Sequence, residues 1–591
     1  MKSPLEGFSP GVHLRGRCHG DRLGGRPARS VLSGAVSTAR LSSYLLTLFI
    51  HFSVHFPQWQ CCHSLHGYLA QYVAIAGDTV CFLRGRATIS APSVRRAITG
   101  IGEVLHYPWH EDGGMTDSDM PEYHFYLAGE RRTGAPYTVA CPYDGSPVAV
   151  VHRAAPADLE RAIQAAVEAF RTTRRSPLHR RAAALRAIAA GIEARAEELA
   201  RTIALEAGKP IKQARIEVAR SIVTFSTAAD EATRSNDEAL RLDAAPGGEG
   251  RQAIVRRFPV GPVAAITPFN FPLNLVAHKV APAIAAGCSV VLKPASQTPI
   301  TALKLAEIIA SSGWIPEALS VLPLASRDAA PLVEDERFGL LTFTGSPAVG
   351  WEMKRRAGRK RVTLELGGNA GVIIHSDADL AFAAARCVVG GFSYAGQSCI
   401  SVQRIFVHAP VYDAFMDLFV PQVRALKVGH PLDEASDLSA LISPSEAARV
   451  SAWLDEARSA GAEFVTGGIV EGGVVAPTIV TRAAPELRVN CQEIFAPVVT
   501  VQPYTTFEEA LAAVNNSEFG LQAGVFTRDV GRIFQAYEEL EVGGVIINDV
   551  PTWRLDPMPY GGVKQSGFGR EGLRYAIEEM TERKLLVVNV G

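Results

Sequence analysis

From Val263 onward the chain alternates short, unbroken runs of apolar residues with longer stretches of helical period. The runs VAAI at 263–266, VVLK at 290–293, SVLPL at 320–324, LLTF at 340–343 and VTLEL at 362–366 lack the regular polar alternation of a half-exposed strand. Strands of this kind are buried on both faces, the condition of a parallel sheet covered by helices on each side. The intervening stretches supply those helices, over 273–286, over 300–310 and from Pro347. Right-handed crossovers between parallel strands then give a doubly wound α/β unit. A second α/β series follows, with VII at 372–374, a helix to Val388, RIFV at 404–407, a helix through Leu426, and strands near Val498, Val525 and Val545. Residues 157–170 and 180–206 carry Ala, Leu and Ile at helical spacing with Glu and Arg between, the pattern of amphipathic helices in an outer layer.

Composition narrows the function classes. The 591 residues hold 59 Lys+Arg against 60 Asp+Glu, a formal net charge of -1, which argues against a generally basic nucleic-acid binder. Nine Cys, without paired CxxC spacing or Cys/His alternation, predict neither a disulfide framework nor a metal site, and point to a reducing, cytoplasmic setting. The average conceals a break near Met115. Residues 1–114 carry 11 Lys+Arg against 6 acids, net +5, with eight of the 15 His and four of the nine Cys, and show no sustained helical or strand period. Their most apolar run, 44–56, is interrupted by His51 and His55 and falls short of the ~20 residues a membrane span needs. It also lies too far into the chain for a secretory signal. Residues 1–114 are therefore expected to be a disordered appendage or a start-site artefact, with no membrane partner.

Four segments carry candidate chemistry. Thr267-Pro-Phe-Asn270-Phe-Pro272 falls where the run 263–266 ends; Asn there reads as a turn former, or as an amide donor to an oxyanion at a strand's carboxyl end. Lys293, in VVLKP, ends the next strand and reads as a solvated charge or as a group facing a dinucleotide crevice. Thr344-Gly345-Ser346-Pro-Ala-Val-Gly350 marks a strand-to-helix junction able to seat a pyrophosphate on a helix amino terminus, although its spacing departs from GxGxxG. Glu365-Leu-Gly-Gly-Asn369 puts a carboxylate at the end of an apolar strand, where it needs water or a partner. Cys399, in Gly396-Gln-Ser-Cys399-Ile, follows a glycine turn, a position expected to expose the thiol and lower its pKa. Cys288 and Cys387 are expected on helices as inert core residues. Gly391-Phe-Ser393-Tyr-Ala-Gly396 is not a G-x-S-x-G elbow, because its last Gly is one residue late.

The ordered set FNFP, LKP, GSxxVG, ELGG, GQSC, Glu493-Ile-Phe495-Ala-Pro497 and Pro559-Tyr-Gly-Gly-Val-Lys564-Gln-Ser-Gly567 resembles the NAD(P)-dependent aldehyde dehydrogenase superfamily over roughly 122–591, with a motif texture like lactaldehyde, phosphonoacetaldehyde and succinate-semialdehyde dehydrogenases. The resemblance implies a Rossmann-type cofactor domain over 121–240 and 260–366, an α/β catalytic domain over 367–570, and a small oligomerisation sheet from 241–259 and 575–591. It implies Cys399 as nucleophile, Asn270 with the Cys399 N–H as oxyanion hole, Glu365 as the base that activates water, and Lys279 and Glu571 as a proton relay behind that base. It places Lys293 and Ser296 at the adenosine ribose, Gly345, Ser346 and Gly350 at the pyrophosphate, and Glu493 with Phe495 at the nicotinamide ribose and ring.

Many NAD-preferring relatives carry Glu three residues after this Lys; Ser296 stands there instead, so use of both NAD and NADP is expected, with a lean to NADP. Glu365 favours hydrolysis to a free acid over transfer to coenzyme A. His278 replaces the large apolar residue of fatty-aldehyde enzymes, and Trp553 with Arg554 is expected at the substrate mouth, the Arg either pairing with a substrate anion or standing as a solvated loop residue. A small polar or anionic aldehyde is the expected substrate, and a homodimer or homotetramer the expected assembly. The competing activities are a cysteine-dependent acyltransferase or hydrolase on the same fold, and a coenzyme A-acylating aldehyde dehydrogenase.

Overall fold

The runs that predicted buried strands form them. In the computed structural model, which describes residues 73–76, 79–82, 120–234 and 237–591, five parallel strands stand in the order Leu319–Val321, Val290–Lys293, Val263–Ile266, Leu340–Thr344 and Arg361–Glu365. The sheet is extended by antiparallel Phe125–Leu127 and Glu130–Arg132 on one edge and by Gly567–Phe568 on the other. Strand order reverses between Val263–Ile266 and Leu340–Thr344, which opens a crevice beyond their carboxyl ends. The register pairs Ile266 with both Lys293 and Phe343, and Thr344 with Glu365, so the candidate residues just past those positions line one edge. The expected strand 320–324 is shorter, because Pro323 supplies no N–H to continue the ladder.

A second sheet runs Glu463–Thr466, Thr478–Thr481, Val498–Tyr504, Val402–His408, Ala370–Ile374, Gln522–Phe526, Gly544–Ile547, parallel except for its first strand. The helix expected over 180–206 is two, Leu178–Ala194 and Ala196–Ala207, broken at Arg195. A further helix, Ile211–Thr233, buries Glu217, Ser221 and Thr224 beside Val218 and Phe225. Polar residues on its inward face hide the apolar period by which such a helix is recognised. Cys288 lies in the turn after the helix Asn274–Ala286, not on a helix, and burial pushes its thiol up to about 12. Cys387 is buried on the helix Leu380–Phe392.

Arg251–Pro259 pairs antiparallel with Thr581–Asn589 along nine residues, with Glu238–Leu240 as third strand. The outer strand leaves Leu585, Leu586, Val587 and Val588 exposed. Among the described residues, Glu122, His124 and His152 form the one group whose ligand atoms lie close enough to share a cation, but the two imidazoles are stacked, with ring centroids 4.6 Å apart, so their in-plane lone pairs do not converge.

The chain divides into two compact units, 1–113 and 114–591. In the first, Val73–Ala76 and Thr79–Phe82 pair antiparallel, strands that the sequence period did not reveal. The rest of the expectation for residues 1–114 falls outside the described residues.

Candidate active site

Cys399 is delivered by a backbone in an unfavourable conformation. Tyr394, Ala395 and Gly396 have φ of 50°, 52° and 70°, three successive left-handed residues directly before Gln397-Ser398-Cys399. Left-handed non-glycine residues cost of order 1–3 kcal/mol each and persist where the surroundings fix them. Here the fixing contacts are visible. The Tyr394 hydroxyl donates to the Ala207 carbonyl at 2.8 Å, the Gln397 side chain accepts from Ile442 N–H at 2.9 Å, and Asn270 Nδ2 donates to the Gln397 carbonyl at 3.1 Å. A Cβ on Gly396 would lie 2.1 Å from the Ala496 carbonyl, so glycine is required there.

Two glycines of the ELGG segment have equally specific causes. A Cβ on Gly367 would stand 2.3 Å from the Glu493 carboxylate, and one on Gly368 would stand 2.0 Å from the Cys399 carbonyl. The Gly368 N–H donates to Glu493 Oε1 at 2.9 Å. The ELGG backbone is thus packed directly against the Cys399 backbone and the Glu493 carboxylate.

The half-buried Cys399 thiol lies 3.0 Å from the Tyr560 hydroxyl and within the influence of the Glu365 carboxylate. Burial first, and the Glu365 charge second, push the thiol well above its ordinary range, which corrects the expectation that the loop position lowers it. Glu365 itself is 2 % exposed, and its Oε1 has no hydrogen-bond partner. Burial and the nearby Glu571 charge raise its carboxyl to about 7. Asn270 is buried, with Oδ1 unpartnered.

Behind Glu365, Lys279 Nζ donates to Thr344 Oγ1 at 2.7 Å, Thr342 Oγ1 at 3.1 Å and Glu571 Oε1 at 3.2 Å. Although burial opposes it, Lys279, His278 and Arg554 hold the Glu571 carboxyl below its usual range. Arg554 is not a solvated loop residue. Its side chain is buried, stacked 3.5 Å over the Tyr560 ring, with Nη2 3.5 Å from His278 Nε2 and 3.7 Å from Glu571 Oε2. His278 Nε2 also meets Asp556 Oδ1 at 2.8 Å, and Asp556 is held in turn by Arg220 and Asn274. Trp553 is exposed.

The residues expected at a dinucleotide line the same edge. Lys293 is 6 % exposed at the end of its strand. Ser296 follows, its Oγ 3.5 Å from the Leu324 carbonyl. Ser346 caps the helix Pro347–Arg356 with a hydroxyl that makes no capping bond. Gly345 and Gly350 permit close approach, since Cβ atoms there would lie 2.5 Å from the Phe343 ring and 2.4 Å from Leu366. Phe495, with φ of 52°, sets its ring edge-on to Phe269 at 6.0 Å, beside Asn270. Glu493 is half-buried, and its desolvation raises its carboxyl to about 8.

A family model described as the aldehyde dehydrogenase family matches residues 129–586. The chain belongs to that family. This aldehyde dehydrogenase is 43% identical to the 3-sulfolactaldehyde dehydrogenase of Priestia megaterium over 475 residues, 80% of this chain and 99% of the relative. Its fold is similar to that of aldehyde dehydrogenase 21 from Physcomitrella patens, solved with the reaction product succinate, at TM-score 0.79 and 45% identity over 80% of this chain and 99% of that one. It is also similar to the glyceraldehyde-3-phosphate dehydrogenase GapN of Methanocaldococcus jannaschii, solved with NADP, at TM-score 0.74 and 38% identity over 76% and 98%. In this aldehyde dehydrogenase the sequence reading passed over Tyr560, Asp556 and the buried Lys209–Glu217 pair. Tyr560 stands inside a quoted motif, so a polar aromatic between Pro and Gly was the available signal. Glu217 accepts from the N–H groups of Leu273 and Asn274 at 2.9 and 3.1 Å, and Lys209 stacks on Phe271 at 3.7 Å. Nothing local to either residue announces that role.

Proposed function

We propose that this aldehyde dehydrogenase oxidises a small polar or anionic aldehyde to its carboxylate with NAD(P)+, through a thioester on Cys399 that water activated by Glu365 hydrolyses. The observation that carries this reading is the convergence of Cys399, Glu365 and Asn270 at the carboxyl edge of the first sheet. The residues at that edge fit a dinucleotide. The Ser346 hydroxyl makes no capping bond at a helix amino terminus, Gly345 and Gly350 let that turn sit directly against Phe343 and Leu366, and Lys293 is a buried cation. Lys293 and Ser296 would hold the adenosine ribose, Gly345, Ser346 and Gly350 the pyrophosphate, and Glu493 and Phe495 the nicotinamide end.

The Cys399 thiol gives up its proton to solvent, which leaves Glu365 free to act as base in the second half of the reaction. Sulfur attacks the aldehyde carbon, and the new alkoxide is met by the Asn270 side-chain amide and the Cys399 N–H; losing one such donor costs ~10²–10³ in rate. NAD(P)+, when bound, supplies the hydride acceptor that converts this thiohemiacetal to a thioester. Glu365 then takes a proton from water, the hydroxide oxygen adds to the thioester carbon, and the C–S bond breaks to release the carboxylate. Lys279 and Glu571 adjust the charge behind the base. The buried Arg554, backed by His278, supports an anionic substrate, and the names of the sulfolactaldehyde relative and of the succinate-bound enzyme point the same way.

The exposed apolar strand Thr581–Asn589 supports a homodimer or homotetramer. Among the described residues no helix is long and apolar enough to cross a membrane; a cytoplasmic location rests on the cysteine usage.

The test is absorbance of reduced nicotinamide on mixing enzyme, NAD(P)+ and a panel of small aldehydes. Cys399→Ala should abolish it. Glu365→Gln should give about one equivalent and then stall, with turnover slowed ~10²–10⁴-fold; undiminished turnover would remove Glu365 as base. Acyl transfer to coenzyme A, or ester hydrolysis without reduced cofactor, would favour the competing activities.

A further inference from the structure

Burial, Glu365 and Glu493 all oppose a negative charge on the sulfur of Cys399. A thiolate there needs a donor, and the Tyr560 hydroxyl, 3.0 Å from Sγ, is placed to be one. Tyr560 is held from three sides. Its N–H donates to the Glu571 carbonyl at 3.0 Å, and the Glu571 N–H donates back to the Tyr560 carbonyl at 2.6 Å. Its ring is buried in a small apolar cluster with Ile400 and Leu521, against which Cys399 packs. The Arg554 guanidinium lies over the ring, 3.5 Å from its centroid.

The backbone bridge, the apolar cluster and the guanidinium would hold a phenylalanine equally well. The hydroxyl is what they leave over. It belongs to a buried residue, and among the described residues its hydrogen bond is the one to Cys399. A buried hydroxyl is costly unless a partner repays it. The cation on the ring face attracts the π charge, and by withdrawing it makes the O–H a stronger donor. The other ionisable groups are Glu365 and Glu493 facing the sulfur and Arg554 facing the phenol, with Glu571, Lys279 and His278 one layer behind.

We infer that Tyr560 is a catalytic residue, whose hydroxyl donates to the Cys399 sulfur whenever that sulfur is negative, before it attacks the aldehyde and again when the thioester C–S bond breaks. The inference rests on the dehydrogenase reading and deepens it by naming the group that meets the sulfur's charge at both steps. The thiol proton leaves to solvent, sulfur keeps the electron pair, and the Tyr560 O–H donates to it. In the thiohemiacetal and the thioester that pair forms the C–S bond, and the hydrogen bond weakens. Once the oxygen of water has added and the bond breaks, the pair returns to sulfur and the hydrogen bond forms again.

Alkylation by iodoacetamide, followed on the Cys399 peptide of the full chain, tests this without turnover. It is measured in Glu365→Gln, where loss of that carboxylate charge brings the thiol down to a working pH range, with and without Tyr560→Phe. Removing the hydroxyl should raise the midpoint of the pH profile by about one unit. Below both midpoints the thiolate is then about tenfold scarcer yet about threefold more nucleophilic, since nucleophilicity follows basicity with a slope of about 0.4–0.5. The two profiles should therefore cross, Tyr560→Phe being about threefold slower at the acid end and about threefold faster at the alkaline end. A role confined to packing would slow alkylation at every pH with the midpoint in place; that result, or a midpoint moved by less than about 0.3 unit, overturns the assignment. Putting 3-fluorotyrosine, a more acidic phenol of nearly the same shape, in place of Tyr560 should lower the midpoint, and a midpoint that stays or rises also overturns it. In the otherwise wild-type enzyme Tyr560→Phe should cost about tenfold in kcat. Wild-type enzyme that reduces neither cofactor with any aldehyde would overturn the dehydrogenase reading, while the alkylation profiles judge Tyr560 separately.

Discussion

Gly368→Ala is a one-carbon change that should disable the enzyme without touching a reacting group. The added Cβ would lie 2.0 Å from the Cys399 carbonyl oxygen, against an ordinary contact of 3.4–4 Å. The obstacle is backbone, so it cannot rotate away, and the same Gly368 is tied through its N–H to Glu493. Relief therefore requires the nucleophile loop to retreat by about 1 Å, and a misplacement of that size costs on the order of 10²-fold in rate. The loop cannot absorb the shift elsewhere, since Tyr394, Ala395 and Gly396 are already left-handed and Gly396 is seated against Ala496. Steady-state kcat with a good aldehyde, measured beside circular dichroism and a count of titratable thiols, reads the effect. The expectation is a folded protein with about 10²-fold lower kcat and slower alkylation of Cys399. A folded variant with kcat within threefold of wild type would refute the argument that this backbone contact sets the position of Cys399.

Four further outcomes follow from contacts elsewhere in the fold. Because burial and Glu571 raise the Glu365 carboxyl to about 7, it holds its proton until pH passes that value; kcat limited by thioester hydrolysis should fall as pH drops below about 7. Glu571→Gln removes the neighbouring negative charge and should move that acid limb to lower pH, which a pH–rate profile would show. Lys209→Met strands the buried Glu217 carboxylate and should cost about 3–5 kcal/mol, seen as a lower midpoint in denaturant. Leu586→Glu on the exposed strand should shift the protein toward monomer in sedimentation, with secondary structure unchanged.

How much of this was legible in the sequence depended on whether burial is written as apolar residues. The strands 263–266 and 290–293 were readable to the residue because they are covered on both faces, and continuous apolar runs have one simple explanation. The helix Ile211–Thr233 was not, because its inward face spends Glu217, Ser221 and Thr224 on polar contacts to Leu273 and Asn274. Arg554 and His278 illustrate the same limit from the other side. Each is a polar residue whose burial depends on partners such as Asp556 and Tyr560, reached only through the fold. The thiol pKa went wrong for a related reason: a glycine turn predicts access, but the charge of Glu365 and the depth of the cleft come from other strands.

The antiparallel edge strand Gly567–Phe568 pairs Gly567 with Glu365, and Leu366 N–H donates to the Ser566 carbonyl. The strand that carries the proposed base is thus registered by residues synthesised some two hundred positions later. During translation, everything up to the nucleophile can emerge and collapse while Glu365 still lacks its lateral support. The cleft gains this support only when nearly the whole chain has left the ribosome, so a chain terminated before Ser566 should carry the proposed nucleophile and stay inert.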